Sequence, residues 1–188
     1  MTDLSPPDSL GQDLRILRKQ RGLTLAELAR QIDRSVGWLS QVERNLSVPS
    51  IEEIAALTAA LDVAIESFLG RAPTPPREAD HVVRKTNRRP IGARVDGMLE
   101  ELLSPDLTDD FEVVHSTFLP GAARQELLAR PTQEVGYIVS GELYLTIAEE
   151  TFRLTPGDSF RIRAEPFAWE NRGTEPCIAI WVIAPPVY

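Results

Sequence analysis

The chain has 188 residues, of which 43% are hydrophobic and 26% charged, and its net charge at pH 7 is −8. With this composition the chain can bury a core and need not be disordered. One cysteine and two histidines exclude a disulfide framework, a cysteine-cluster zinc site and a multi-histidine metal centre within one chain.

The chain carries no pattern typical of a membrane or secreted protein. Its longest apolar run, residues 177–184, is too short to span a bilayer. The first ten residues lack the basic-then-apolar pattern of a secretory signal. We therefore expect a cytoplasmic protein without a membrane partner, and we expect no cofactor.

Charge and proline content divide the chain into unlike parts. Residues 8–70 carry a net charge of −2, residues 71–95 of +5 and residues 96–188 of −10. Only Pro49 interrupts the first of these segments, whereas prolines recur from residue 73 onwards. Because proline is excluded from helix interiors, only the first segment is free to be helical throughout. The predicted domains are a helical domain over residues 8–70, a stiff linker over residues 71–80 and a strand-rich domain over residues 81–188.

The first segment has the apolar periodicity of helices and the signals that start and stop them. The first helix is predicted to end at Gly22, and the third at Asn45, which tolerates the left-handed conformation. The predicted N-caps are Thr24, in a capping box with Glu27, followed by Ser35 and Ser50. A fifth short turn is predicted around Ile65, Phe68 and Leu69.

Two short helices joined by a tight turn are the geometry that places one helix in a DNA major groove. Arg18, the run GLTLAELA at residues 22–29, LSQVER at residues 39–44 and Pro49-Ser50 together resemble the XRE-type, phage-repressor-like helix-turn-helix family over about residues 10–69. The chain departs from the family at three positions. Asp33 and Asn45 stand where the family usually has glycine, and Arg34 stands where it usually has a small apolar residue.

The resemblance implies that the third helix reads DNA, with Leu39 and Val42 facing the core. Gln41 can pair with adenine, Val36 can contact a thymine methyl group, and Gly37 allows a close approach to the groove. The residues predicted to contact DNA are Thr24, Ser35, Val36, Gly37, Trp38, Ser40, Gln41, Arg44 and Asn45. For Trp38, packing in the core is an equally good interpretation.

Charged residues outside this helix have structural and functional alternatives. Arg18 and Glu43 resemble the family's internal ion pair between the first and third helices. The basic residues Arg84, Lys85, Arg88 and Arg89 either reach phosphate or form a solvated charge run. Because each phosphate contact releases counterions, binding is expected to weaken steeply with salt.

The C-terminal half has the short alternating segments and Pro-Gly turns of strands. Pro120-Gly121, EVGYIVSGEL at residues 134–143 and LTPGDS at residues 154–159 resemble the two motifs of a cupin, an all-β jelly-roll barrel. We expect the run Ile178–Ile183 to be a strand buried on both faces. Arg161 and Arg163 are expected to face solvent, and Cys177 is predicted to be a structural residue at a strand edge.

The cupin resemblance implies four metal-ligand positions, which here are Leu128, Arg130, Glu134 and Phe167. Only the glutamate can coordinate a metal, so we expect no metal site. A predicted effector pocket contains Arg130, Glu134, Phe167 and Trp169, in which Arg130 can bind a carboxylate while Glu134 receives an amine. The alternative is that Arg130 and Glu134 pair with each other and fill the cavity.

Together these features predict a homodimeric transcriptional regulator that binds an inverted-repeat operator in double-stranded DNA and responds to a small molecule in a metal-free cupin pocket. It would not be an enzyme. One alternative is a cupin-fold metal-dependent enzyme with an accessory helical domain. Another is a helical module that binds protein rather than DNA.

Overall fold

The computed structural model describes residues 10–63, 65, 75, 77–78, 81–91, 95–105, 107 and 109–187. Contacts divide them into two compact units. The helical unit runs to Arg89 and includes Pro105 and Leu107, and the strand unit contains the described residues of Pro90–Ser104 and Asp109–Val187. Residues 81–89, which we assigned to the strand-rich domain, are therefore grouped with the helices. The predicted turn residues Phe68 and Leu69, and most of the predicted linker, lie outside the described residues.

The helical unit contains four α-helices. They are α1 (Leu10–Gln20), α2 (Leu25–Gln31), α3 (Val36–Glu43) and α4 (Ile51–Leu61). The predicted caps are confirmed: Thr24 and Ser50 form capping boxes, and the Ser35 side chain accepts a hydrogen bond from the Trp38 backbone N–H. Each hydroxyl satisfies a backbone amide that has no partner inside its helix, which fixes where the helix begins.

Two departures from the helix-turn-helix pattern keep the backbone that the pattern requires. Asp33 has φ 52° and Asn45 has φ 57°, both in the left-handed region. Asn and Asp visit this region more readily than other non-glycine residues. The turns after α2 and α3 therefore form without the usual glycines.

The helices pack around a small leucine-rich core. Its fully buried members include Leu14, Leu17, Leu28, Leu39, Ile54 and Leu57. The helices α1 and α3 approach each other closely at Gly11, where an added Cβ would lie 2.2 Å from the Val42 carbonyl oxygen. Gly11 also donates its backbone N–H to Asn45 Oδ1 at 2.8 Å. These contacts hold α3 against the start of α1.

One residue of the basic segment before the strands departs from the prediction, whereas Arg84 and Lys85 are exposed. Arg89 is buried and forms an ion pair with the buried Asp13 of α1, with 2.5 Å between Nη2 and Oδ2. Arg84 pairs with Glu78 at 2.8 Å. For Arg89 both expectations, phosphate contact and a solvated charge run, are wrong, because the residue is buried and paired with Asp13. Its partner lies 76 residues earlier in the chain.

Ten strands form two sheets, and all of their residues except Arg89 belong to the strand unit. The strands are β1 (Arg89–Ile91), β2 (Met98–Leu102), β3 (Glu112–Phe118), β4 (Ala123–Leu128), β5 (Gln133–Ser140), β6 (Leu143–Ile147), β7 (Glu150–Leu154), β8 (Ser159–Arg163), β9 (Phe167–Glu170) and β10 (Cys177–Ala184). The six-stranded sheet has the order β1-β2-β3-β10-β5-β8, and the four-stranded sheet has the order β4-β9-β6-β7.

Aromatic side chains from both sheets meet in the core of the strand unit. Phe118 on β3 lies edge to face with Trp169 on β9, with ring centroids 4.6 Å apart. Trp181 on β10 makes the same type of contact with Phe160 at 4.8 Å. Such pairs contribute about 0.5–1.5 kcal/mol beyond their burial.

The outer face of the six-stranded sheet is more exposed than the sequence predicted. On β10, Ala179, Trp181 and Ile183 are buried, but Ile178 and Ile180 are partly exposed and Val182 is 36% exposed. The expectation that this strand is buried on both faces is therefore wrong. An antiparallel sheet can pack one face against the core and leave its other face exposed to solvent. Arg161 and Arg163 are exposed, as predicted.

Cys177, predicted to be a structural residue at a strand edge, is the buried first residue of β10, where it pairs with Phe118 of β3. Burial, followed by the nearby Glu142 charge, raises the pKa of its thiol to about 11.

We expect Cys177 in the folded protein to react with a thiol reagent at pH 8 far more slowly than in urea, because the thiolate is scarce and enclosed. Time-resolved labelling with and without denaturant measures this difference. Equal rates in the two conditions would contradict the burial.

In the described parts of the chain, no helix has the length and apolar character needed to cross a membrane.

Candidate functional site

The helix α3 has one buried side and one exposed side. Leu39 and Val42 are buried against the other helices. Val36 is 46% exposed, and Gly37 and Gln41 are also exposed. The outward side therefore carries one amide, one aliphatic group and a position without a side chain. These groups can match the edges of bases and the thymine methyl group in a major groove.

The backbone N–H groups at the start of α2 are already engaged by side chains of the capping box. Thr24 Oγ1 accepts from the Glu27 backbone N–H at 3.2 Å, and Glu27 Oε2 accepts from the Thr24 backbone N–H at 2.7 Å. This backbone hydrogen bond, followed by that from the Thr24 hydroxyl, lowers the pKa of Glu27. The start of α2, where Thr24 is a predicted DNA contact, therefore already has an ionised carboxylate beside it.

A buried ion pair fixes α3 to α1. Arg18 Nε donates to Glu43 Oε1 at 2.6 Å, and Arg18 Nη2 donates to Glu43 Oε2 at 3.0 Å. The third donor, Nη1, reaches the Leu23 carbonyl oxygen at 2.7 Å. The hydrogen bond to Glu43 is the largest cause of a raised pKa for Arg18. The guanidinium therefore stays charged, and it ties α3 to both α1 and the turn that follows α1.

Side chains around the exposed side of α3 have definite partners. Arg34 pairs with Glu53 at 2.9 Å, and its guanidinium carbon lies 5.8 Å from the centre of the Trp38 ring. Trp38 is partly exposed, so part of its ring packs against the protein and part faces solvent. Arg44 is exposed and donates to the Ser40 carbonyl oxygen at 3.1 Å. Asn45 is exposed as a residue, but its side-chain oxygen accepts from Gly11.

The strand unit contains a small cavity between its sheets, with a volume of about 30 Å³. Two arginines and one glutamate contribute the charged groups of its wall, namely Arg124, Arg130 and Glu100. The rest of the wall is apolar: Met98, Leu128, Phe167, Trp169, Trp181 and Ile183. Three of the four predicted pocket residues thus line it, namely Arg130, Phe167 and Trp169.

Glu134, the fourth predicted pocket residue, lies behind the cavity wall with no exposed surface. Its Oε1 accepts from Thr132 Oγ1 at 2.6 Å, and its Oε2 accepts from Trp181 Nε1 at 2.8 Å. Arg130 Nε lies 3.4 Å from Oε1. Glu134 therefore accepts two internal hydrogen bonds and forms an ion pair with Arg130, which agrees with the alternative that the two residues pair with each other.

Many cupins hold a metal at these positions, but the residues here do not fit one. Glu134 has both oxygens engaged by donors, and a guanidinium lies beside it. Leu128 and Phe167 cannot coordinate a metal. Within the described ranges no group of three or more His, Cys, Asp or Glu side chains could hold an ion.

Sequence reasoning missed the apolar residues Met98, Trp181 and Ile183 of the cavity wall, two of its charged residues, and the donors to Glu134. Arg124 lies on β4, and Glu100 lies on β2, outside the quoted cupin motifs. Thr132 is two residues from Glu134 and is a local signal that was available. Trp181 lies 47 residues from Glu134, and only the register of β10 against β5 brings them together.

Comparison with known families matches two separate parts of the chain. Residues 9–67 match a helix-turn-helix domain, and residues 114–183 match a cupin domain. The two matches lie respectively on the four helices and on the strands from β3 to β10.

Curated relatives match one or both of these parts. The HTH-type transcriptional regulator PuuR of Escherichia coli (strain K12) is 23% identical over 182 residues, which are 95% of this chain and 96% of PuuR. The transcriptional regulator ClgR of Mycobacterium tuberculosis is 30% identical over 97 residues, which are 51% of this chain and 87% of ClgR. The HTH-type transcriptional regulator SinR of Bacillus subtilis is 38% identical over 61 residues, which are 32% of this chain and 55% of SinR.

Proposed function

Since the chain belongs to the XRE-type helix-turn-helix transcriptional regulators that carry a C-terminal cupin domain, we propose that two copies bind an inverted-repeat operator and that a small molecule in the barrel changes operator affinity. The observation that carries the proposal is the two-sided character of α3, which buries Leu39 and Val42 and exposes Gln41. The two copies of α3 would lie one helical turn of DNA apart, about 34–36 Å, or a multiple of that distance.

In this proposal the exposed side of α3 reads bases while its surroundings position it. Gln41 pairs with adenine, Ser40 donates to a base or phosphate, and Val36 contacts a thymine methyl group. Arg44 contacts phosphate, which contributes affinity without sequence information. The residues proposed to position α3 or approach the DNA backbone are Thr24, Ser35, Trp38 and Asn45, with Arg18 and Glu43 bracing the helix from inside.

Sequence-specific binding is tested by fluorescence anisotropy with two labelled duplexes. One duplex carries the DNA upstream of the protein's own gene, and the other carries a shuffled sequence of the same composition. We expect preference for the first duplex, and we expect affinity for both to fall steeply between about 50 and 200 mM salt as counterions are released. Equal, weak affinity for the two duplexes would rule out sequence-specific regulation.

Gly37 offers a prediction in which stability and binding change in opposite directions. A Cβ added at Gly37 would meet nothing within 4 Å. Gly37→Ala is therefore expected to stabilise the helical unit by a few tenths to about 1 kcal/mol through helix propensity. On the outward side of α3 the same methyl group would weaken DNA binding. Urea unfolding and anisotropy measure the two effects, and unchanged affinity would place Gly37 away from the DNA.

The cupin domain is proposed to supply the dimer contact through the outer face of the six-stranded sheet. On β5, Val135, Tyr137 and Val139 are each nearly half exposed, and they lie beside the partly exposed residues of β10. A contiguous apolar surface of this kind is typical of an interaction site. A second copy is the occupant that an inverted repeat requires, because a two-fold DNA site is matched by a two-fold protein.

The dimer surface is tested with two matched substitutions. Tyr137→Glu introduces a charge into the outer face, whereas Phe152→Glu does so at a residue of the other sheet that is 43% exposed. Sedimentation analysis should give a monomer for Tyr137→Glu and a dimer for Phe152→Glu and the unmodified chain. A dimer for both variants would place the contact elsewhere.

A cupin enzyme finds no support in the barrel residues. The carboxylate that a catalytic metal would need is held by Thr132, Trp181 and Arg130. We therefore propose a binding role for the barrel and no catalytic role. Elemental analysis of the purified protein tests this, because a stoichiometric metal would favour an enzyme.

A further inference from the structure

The charged groups that face the barrel cavity are mainly cationic. Arg124 and Arg130 line it, and Glu134, the acid that the sequence offered for an amine, does not. Both Glu134 oxygens already accept hydrogen bonds from buried donors. A ligand ammonium group could reach Glu134 only by displacing the Trp181 indole or the Thr132 hydroxyl, which would leave a buried polar group unsatisfied.

Arg130 is held in place by the protein. Its Nε lies 3.4 Å from Glu134 Oε1, and its guanidinium carbon lies 5.6 Å from the centre of the Phe167 ring. The pairing with Glu134 and the aromatic contact fix the guanidinium at the cavity wall, where its side chain is 20% exposed. Glu134 thus acts as a positioning residue for Arg130.

Arg124, unlike Arg130, is not held by an ion pair with a described residue. It lies on β4 beside Trp169 of β9 and is partly exposed. Its side chain makes no hydrogen bond or ion pair with any residue that the structure describes. A guanidinium at a cavity wall without a partner among these residues is suited to an anion from outside. The one acid of the wall, Glu100, already accepts from Ser116 Oγ at 3.4 Å.

We infer that this cavity binds a small organic carboxylate, with Arg124 and Arg130 contacting its oxygens and Phe167, Trp169 and Leu128 contacting its carbon atoms; the effector role of this ligand rests on the proposed function. A planar guanidinium matches a carboxylate with two parallel hydrogen bonds. The cavity volume of about 30 Å³ would hold about two water molecules by the same measure, so we expect the ligand to be small.

The test is isothermal titration of the full chain, without DNA, at constant ionic strength. The carboxylates are acetate, propionate, succinate and benzoate. The comparison compounds are propionamide and n-propylamine, which match propionate in size but not in charge, and inorganic phosphate, which has charge without carbon. We expect at least one carboxylate to bind at least about 10-fold more tightly than all three comparison compounds, as expected for charge-assisted hydrogen bonds.

Variants assign the site. Arg124→Gln should weaken carboxylate binding about 10-fold or more without changing the melting temperature, because Arg124 has no partner among the described residues. Arg161→Gln, an exposed arginine of the same unit, should change neither. The inference is overturned if no carboxylate binds, if phosphate or the amine binds as well as the best carboxylate, or if Arg124→Gln binds normally.

The same titration separates this inference from the proposed function. If a carboxylate binds and operator affinity stays unchanged, the site stands and the effector role fails. If the chain binds no specific DNA, carboxylate binding is still measured directly.

Discussion

Glu43→Leu is expected to destabilise the helical unit by about 3–5 kcal/mol, because it leaves the Arg18 guanidinium buried without its counter-ion. The side chain of Arg18 is 9% exposed and that of Glu43 4%, so neither charge can be fully hydrated in place. A loss of this size is comparable to the whole stability of many small domains. Urea unfolding followed by circular dichroism at 222 nm reports on the helices and measures the loss.

Two further variants separate a charge effect from simple loss of packing. Arg18→Met combined with Glu43→Leu removes both charges, and it should recover part of the stability because apolar groups often replace a buried ion pair without loss. Glu142→Gln breaks the Glu142–Arg153 pair on the surface of the strand unit and should leave the helical transition unchanged. If Glu43→Leu alone unfolds like the unmodified chain, Arg18 reaches solvent and the ion pair does not brace α3.

Local features of the fold could be predicted because their causes lie within a few residues. Thr24 and Glu27 form a capping box from adjacent positions, and Ser35 caps α3 in the same way. Asp33 and Asn45 adopt left-handed backbone because their own side chains tolerate it. The division into a helical and a strand-rich part followed from proline placement, which also acts locally.

Features that depend on pairing between distant residues could not be predicted. The Asp13–Arg89 ion pair joins residues 76 positions apart, so each residue read separately predicts an exposed charge. Glu134 looked available to a ligand until the register of β10 placed Trp181 beside it. Arg124 carries no motif, and only the position of β4 brings it to the cavity.

The exposure of β10 shows a second kind of limit. A run of apolar residues does not indicate whether both faces of a strand are covered. In this chain the outward residues of β10 and β5 stay apolar although the strand unit leaves them exposed. Exposed apolar residues of this kind are typical of an interaction site, and the proposed dimer contact is based on them.

Gln41→Ala is expected to cost about 1–3 kcal/mol of operator affinity, or roughly 5- to 150-fold, because an amide pairing with adenine contributes about that much discrimination. Gln41 is exposed, so the substitution should leave the unfolding free energy nearly unchanged. Anisotropy with the upstream and shuffled duplexes measures the loss. Affinity for the shuffled duplex should not change, since Gln41 contributes no phosphate contact in this proposal.

Two matched variants serve as controls for the Gln41→Ala measurement. Gln20→Ala makes the same substitution at an exposed position on α1 and should leave DNA affinity unchanged. Arg44→Gln removes a proposed phosphate contact, so it should weaken binding to both duplexes alike and lower the salt dependence by about one unit of slope. If Gln41→Ala instead lowers affinity for both duplexes equally, α3 contacts the backbone without reading bases. If Gln41→Ala has no effect, the exposed side of α3 faces something other than a DNA groove.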